Sequence, residues 1–287
     1  MYERAAVHLN IVWIAFALLS AAAFAVMAAC VRVASLELPQ MEVVFFRNFM
    51  ALLFLLPLLQ GRRLSLKTDH FPLHLLRATA GLAAMYLYFY AINSLHLSDA
   101  LLLNYTSPLF IALFAVCWLK EEWTLPRRVA LLISLMSLLL LFRPSAALFS
   151  LTGLFGLASG ALAGLALSTV KRLSASDDPI AIVVWFALLS SLISVVPMFW
   201  LFEWPQTSTW IWLLAIGASG SLGQLGLTWA YQRAPITQVA PLGYSSLFFA
   251  SVIGFFAWQE LPDVWGLMGM LGIVVAGTIV ARERTPA

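Results

Sequence analysis

Apolar runs about the length of a membrane crossing recur along the whole chain, separated by short stretches of proline, glycine and charge. They fall near 10–34, 41–60, 71–92, 98–119, 127–142, 151–171, 179–202, 208–231, 236–258 and 263–281. An α-helix needs ~20 apolar residues to cross the hydrocarbon core, so the pattern predicts an all-α membrane protein with ten transmembrane helices. Punctuation sits at Leu38-Pro39, Gly61-Arg62-Arg63, Glu121-Glu122, Arg143-Pro144, Asp177-Asp178-Pro179, Pro205 and Leu261-Pro262. Run lengths and a period near 3.6 argue against the short alternating strands of a β-barrel. Linkers of at most about a dozen residues predict no separate soluble domain. The first run is too long for a signal-peptide core and lacks a cleavage site, so it is expected to stay as the first span.

Composition agrees: 62% hydrophobic residues, 10% charged residues and a mean hydropathy of +0.94 leave too little polar surface to coat a globule in water. Orientation follows from Lys and Arg, which stay in cytoplasmic loops. With the N-terminus inside, Arg4, Arg62, Arg63, Lys67, Lys120, Arg127, Arg128, Lys171, Arg172, Arg233, Arg282 and Arg284 are cytoplasmic, against Arg32 and Arg143 outside. Both termini are therefore expected in the cytoplasm. The net charge of +3 comes from these loops and calls for no nucleic acid. Cys30 and Cys117 fall in helices without CxxC or His at ligand spacing, so they read as packing residues, and no metal is expected.

Leu103–Glu121, LNYTSPLFIALFAVCWLKE, returns 139 positions later as LGYSSLFFASVIGFFAWQE. The two share Leu103/Leu242, Tyr105/Tyr244, Ser107/Ser246, Phe110/Phe249 and Glu121/Glu260, and the offset also pairs Ala91 with Ala230. One follows the fourth helix and the other the ninth, so an odd number of crossings separates them and they run in opposite directions. This predicts two inverted five-helix repeats, residues 1–145 and 146–287, the architecture of many secondary transporters.

Several of these pieces carry a family likeness. The chain resembles EamA-type members of the drug/metabolite transporter superfamily through Phe45-Phe46-Arg47, Arg77, Tyr88-Phe89-Tyr90-Ala91, Tyr105-Thr106-Ser107-Pro108-Leu109-Phe110, Lys120-Glu121 and Arg143-Pro144. The second half adds Ala240-Pro241, Tyr244-Ser245-Ser246-Leu247 and Glu260-Leu261-Pro262-Asp263. The resemblance implies a ten-helix carrier of the bacterial inner membrane. Its cavity would come from helices 1 to 4 and 6 to 9, with helices 5 and 10 supporting it. Leu119-Lys120-Glu121 departs from the family's Leu-Gly-Glu and is expected to alter a loop only.

Arg47 and Arg77 are charges at membrane depth, costing at least ~2.5 kcal/mol each, so each needs a cavity or a partner. Either one binds an anionic group of the substrate, or each ties helices through carbonyls, Glu42 or Asp99. Arg77 and Tyr88 share a face of the third helix, whereas Tyr86 and Tyr90 lie on the opposite one. If Tyr90 is at the site, Arg77 is structural. Gly217, Ser221, Gln224, Thr228 and Tyr231 form one polar stripe along the eighth helix, read as a cavity wall in preference to interhelical bonding. Gly156, Gly160 and Gly164 make a GxxxGxxxG run, read as close helix packing.

Pro108 and Pro241 are expected to bend the fourth and ninth helices as gating kinks, with Asn104, Tyr105, Thr106, Ser107, Tyr244, Ser245 and Ser246 meeting the freed carbonyls. Trp13, Trp118, Trp123, Trp204, Trp210, Trp258 and Trp265 lie near helix ends as interfacial belt residues do. Tyr90, Tyr105, Trp229 and Tyr244 are the aromatics expected to stack on an organic substrate, with Tyr105 and Tyr244 approaching it from opposite sides.

The expected substrate-binding set is thus Arg47, Tyr90, Asn104, Tyr105, Ser107, Gln224, Thr228, Trp229, Tyr244 and Ser245. The reading is a secondary carrier of a small amino-acid-like or zwitterionic metabolite, with export favoured by family likeness. Uptake of a cofactor-like solute such as S-adenosylmethionine or riboflavin is the second reading. No cofactor is expected, the partners are the metabolite and the lipid bilayer, and a homodimer is allowed. No GxxxxGK[ST] loop marks an ATP site. An enzyme has one foothold, Gly217-Ala218-Ser219-Gly220, which resembles the serine motif of rhomboid proteases; yet His8, His70, His74 and His96 all lie upstream. A channel reading finds no repeated filter segment. Proton coupling has only Asp99, Glu42 and His74 to draw on.

Overall fold

The computed structural model describes residues 2–60 and 66–283; Arg62, Arg63 and Arg284 of the orientation argument, and the Arg4 side chain, lie outside the described residues. Among those described there are helices and no strand. The first half holds α1 (Tyr2–Ala34), α2 (Gln40–Gln60), α3 (Phe71–Ser94), a span split into α4 (Leu97–Asn104) and α5 (Ser107–Cys117), and α6 (Leu125–Phe142). The second holds α7 (Leu151–Leu173), α8 (Pro179–Ser194), α9 (Met198–Leu201), α10 (Thr209–Arg233), α11 (Ile236–Val239), a 3-10 segment Ala240–Tyr244, α12 (Ser245–Trp258) and α13 (Val264–Arg282).

Helix starts follow local chemistry. Asp178 accepts from Ile180 N at 2.8 Å with Pro179 in the first turn of α8, and Asp263 caps α13 through Gly266 N at 2.8 Å. Nine stretches among the described residues are long and apolar enough to cross a membrane, with Asp99–Cys117 and Ile236–Trp258 counted as one each. The seventh expected helix is shorter than its apolar run: α8 has 16 residues, and a turn at 195–197 separates it from α9. Pro197, lacking an N–H, fits that interruption.

The neighbours of each helix reveal the repeat. Helix α1 lies along α10 and also meets α12, while α7 lies along α3 and also meets α5. Helix α2 packs on α8 and α10, α8 on α2 and α3, and α6 runs beside α13. Exchanging α1 with α7, α2 with α8, α3 with α10, α5 with α12 and α6 with α13 leaves this set of neighbours unchanged. That is what a two-fold relation between the halves requires.

Glycines let the halves approach. A Cβ on Gly156 would lie 2.7 Å from Leu103 Cδ1, one on Gly160 2.6 Å from both Leu103 O and Thr106 Oγ1, and one on Gly164 2.7 Å from Phe110 Cβ. The expected GxxxGxxxG packing face is therefore the seat of α4 and α5 against α7. One belt assignment is corrected: Trp13 is fully buried in the largest apolar cluster, with Ile111, Val170, Leu173, Tyr231 and Ile236. Its distance from the helix start along the sequence does not set its depth, because α1 begins well before it.

Asp177, in the α7–α8 loop, ties that loop to the start of α3. It accepts from Thr68 Oγ1 at 2.6 Å and Ser176 Oγ at 2.7 Å, and meets His74 Nε2 at 2.8 Å. Burial alone would raise its carboxyl pKa, but the bonds from Thr68, His74 and Ser176 together hold it below the ordinary carboxylate value. Its contribution to stability is therefore complete above the unfolded pKa of ~3.9 and is lost as pH falls through the lowered folded value.

Candidate functional site

A cavity of about 350 Å³ opens between the halves, within the size range of small-molecule sites. Its lining comes from α1, α2, α3, α4, α5, α7, α8, α10, α11 and the 240–246 segment, and none comes from α6 or α13. The cavity lies on the repeat axis. Both members of the related pairs Phe24/Ala163, Arg47/Phe186, Met85/Gln224, Tyr88/Leu227, Asn104/Gly243, Tyr105/Tyr244 and Ser107/Ser246 line it. Within those pairs the first half presents guanidinium, phenol and amide where the second presents Phe186, Leu227 and Gly243. The pair Met85/Gln224 runs the other way, with the amide in the second half.

The expected bends are complete interruptions of the helix. Helix α4 ends at Asn104, and α5 restarts at Ser107 with Pro108 in its first turn. In the second half the matching region is the 3-10 segment Ala240–Tyr244, which holds Pro241. At the first break Thr106 Oγ1 donates to Leu103 O at 2.6 Å, an oxygen that also accepts from Thr106 N at 3.2 Å, and Tyr244 Oη donates to Tyr105 O at 2.8 Å. Asn104 Nδ2 reaches Ser159 Oγ on α7 at 3.2 Å. The repeat-related tyrosines, both in the cavity lining, thus touch each other, with ring centroids 6.1 Å apart, and do not face each other across it.

Both arginines face the cavity. Arg47 is 9% exposed and donates to Asn48 Oδ1 at 3.2 Å and to the thioethers of Met27 and Met85 at 3.3 and 3.5 Å. Arg77, 2% exposed, donates to Gln224 Oε1 at 2.7 Å and Ala166 O at 3.3 Å, and its Cζ lies 4.3 Å over the Phe186 ring. Its Nε has no hydrogen-bond partner. Neither guanidinium meets Glu42 or Asp99: Glu42 accepts from Glu203 N, and Asp99 from Ser145 N and Oγ. No carboxylate lines the cavity among the described residues.

Of the expected binding residues, the cavity gathers Arg47, Asn104, Tyr105, Ser107, Gln224 and Tyr244, with Pro108. Four others and the second gating proline stand outside its lining. Tyr90 is 51% exposed and packs edge-on to Phe155. Trp229 packs on Phe16, Thr228 donates to Gln224 O within its own helix, and Ser245 and Pro241 lie beside the lining residues without joining them. So α3 turns its Arg77–Tyr88 face inward, and Tyr90 is on the other. The α10 stripe divides as well. Gly217 and Ser221 pack on α2, where Ser221 Oγ lies 3.2 Å from Ala51 O, and only Gln224 and Tyr231 reach the cavity. Phe24, Tyr88, Phe186 and Tyr231 complete the aromatic lining. Tyr88 and Tyr231 had a signal in their polar faces, whereas Phe24 and Phe186 sit in uniformly apolar runs and had none.

Ser219 donates to Ala215 O at 2.5 Å in its own helix, and His74 is engaged with Asp177. Comparison with known proteins completes the picture. The EamA-like transporter family matches twice, over residues 11–143 and 150–282, which reproduces the 139-residue offset. The chain belongs to that family. Its function is accordingly the transport of a small metabolite. It is 34% identical over 273 residues to the pseudopaline exporter CntI of Pseudomonas aeruginosa, covering 93% of this chain and 95% of that one. It is 28% identical over 272 residues to a riboflavin transporter of Vibrio cholerae, covering 92% and 90%. A solved crystal structure with 16% identity superposes with a TM-score of 0.79 over 96% of both chains, which shows the same fold.

Proposed function

We propose that the protein is a secondary carrier whose substrate is a small amino-acid-like or zwitterionic metabolite with at least one carboxylate, held by Arg47 and Arg77. One observation carries this: two buried guanidiniums face a single cavity on the repeat axis, and every polar partner they have is neutral. Uncompensated charge at membrane depth is costly, and an anionic ligand offsets that cost. Asn104, Ser107, Gln224 and the Tyr105–Tyr244 pair then orient the polar end, while Phe186 and Leu227 take the apolar part. The site is exposed to either side in turn as the two repeats exchange packings, and α8 with α9 makes the tenth crossing by local thinning of the bilayer.

The kinship with an exporter favours export from the cytoplasm, and the kinship with a riboflavin transporter keeps uptake of a larger solute as the second reading. No catalysis is proposed: Ser219 spends its proton on its own helix. Counterflow into proteoliposomes tests the carrier reading, using radiolabelled neutral amino acids, amino dicarboxylic acids and riboflavin, with and without a pH gradient. Saturable exchange of a carboxylated amino compound is expected, and exchange confined to riboflavin would turn the assignment to the second reading.

The bacterial inner membrane with both termini cytoplasmic is the proposed setting, from the basic loops. Single cysteines at positions 66 and 175 are expected to react only from the cytoplasm, and those at 36 and 206 only from outside. The reverse pattern refutes this orientation.

A further inference from the structure

The repeat offset places Arg32 against Lys171 and Glu260 against Glu121, yet the two halves use these residues differently. Lys171 Nζ donates to the carbonyls of Tyr231 and Ala234 at the end of α10, at 2.7 Å each. Beside it Glu121 accepts from Ile236 N at 2.9 Å, Thr237 N at 3.3 Å and Thr237 Oγ1 at 2.9 Å, at the first turn of α11. A cation on a helix's last carbonyls and a carboxylate on the next helix's first N–H groups both satisfy atoms the helices leave unpaired, and both bonds are charge-assisted. The α10–α11 junction is thereby clamped to α7 and to the segment after α5. Tyr231, Ile236 and Val239 around it are buried.

The equivalent junction in the first half is α3–α4, where Ile92, Leu95, Leu97 and Ser98 occupy the positions of Tyr231, Ala234, Ile236 and Thr237. Its corresponding pair is elsewhere. Arg32 and Glu260 bind each other through two bonds of 3.0 and 2.7 Å, with side chains 52% and 54% exposed. The difference does not arise in the backbone that presents the glutamates. Lys120 and Gln259 both adopt the left-handed region, with φ of 56° and 58°. The N–H of Glu121 returns to Ala115 O at 2.9 Å and that of Glu260 to Gly254 O at 3.2 Å, the same closing turn in both halves. Identical mounts therefore hold one glutamate on a helix start and the other in an exposed pair with Arg32.

We infer that these are two copies of one gate clamp, closed in turn. The inference rests on the alternating-access reading above. In the opposite state Arg32 and Glu260 separate to cap the end of α3 and the start of α4, while Lys171 and Glu121 release α10 and α11 and pair with each other at the surface. Exposed pairs contribute little to stability, so giving one up to form a clamp keeps the two states close in free energy. The structure shows the state closed at the Glu121 end.

The test uses the full chain in proteoliposomes with Cys30→Ala and Cys117→Ala, and a reporter cysteine at Ala234 or at its repeat equivalent Leu95. Maleimide labelling rates report which junction is open. Glu121→Gln is expected to raise labelling at 234 and lower it at 95, by about tenfold for one charge-assisted contact. Glu260→Gln is expected to do the reverse, and the double variant to return the ratio of the two rates toward the parent's. That restoration separates a clamp from a merely structural contact, which two substitutions would only weaken further. Both single variants moving the ratio the same way, or Glu260→Gln leaving it unmoved, overturns the exchange. Counterflow of a carboxylated amino compound, followed in parallel, tells that failure from a failure of the carrier reading: intact flux with an unmoved ratio refutes the clamp alone.

Discussion

Arg77→Gln is expected to abolish measurable binding of carboxylated solutes while leaving a folded, membrane-inserted protein. Its guanidinium is fixed from three sides, by Gln224 Oε1, Ala166 O and the Phe186 face, with Nε left without a partner. Truncating one partner of a buried charge pair costs ~2–5 kcal/mol, which is roughly 30-fold to several-thousand-fold in affinity. Arg77→Lys keeps the charge but loses the planar fork and the ring stacking, so an intermediate loss is expected. The readout is the half-saturating concentration in counterflow, compared for a carboxylated amino compound and its amide. An unchanged value for the carboxylate in Arg77→Gln would show that Arg77 only fastens α3 to α7 and α10.

Gly160→Val is expected to prevent the halves from docking. Even a Cβ at Gly160 would stand 2.6 Å from Leu103 O and from Thr106 Oγ1, the two atoms that close the α4–α5 break. Overpacking of this kind typically costs ~1–3 kcal/mol for Ala, and valine's second branch adds more. Gly160→Ala should lower the unfolding midpoint in detergent, and Gly160→Val should leave little monodisperse protein. Gly243→Ala is the control. It also lines the cavity, but nothing lies within 4 Å of its added Cβ, so its unfolding midpoint should stay at the parent's value. Equal stability of all three variants would refute the close approach of α7 to the break.

Much of this was written in the chain itself. Run lengths matched nine spans among the described residues, because the hydrocarbon core demands ~20 apolar residues per crossing, while the seventh run broke into α8 and α9. The return of the Tyr105 segment at Tyr244, with an odd number of crossings between, required oppositely directed halves. Arg47 and Arg77 announced either a cavity or a buried partner because charge cannot face lipid, and the polar knot announced a bend because a helix cannot continue through Pro108 with its ladder intact. Lys120 stands where the family resemblance has glycine, at a position of positive φ where glycine is the easier residue.

Tertiary structure alone decided which faces turn inward. Arg77 with Tyr88, and not Tyr90, lines the cavity; the α10 stripe serves packing at Gly217 and lines the cavity at Gln224; Trp13 is core; and the two tyrosines meet each other. The physical reason is common to all four. In water, an apolar face must point at the core, so periodicity reveals orientation. In a bilayer the lipid is as apolar as the core, so an aromatic or aliphatic side chain is equally content on either side. Only polar groups then carry directional information, and these can be satisfied by cavity water, a neighbouring helix or their own carbonyls. Which of the three applies depends on what stands opposite, and that is known only once the helices are assembled.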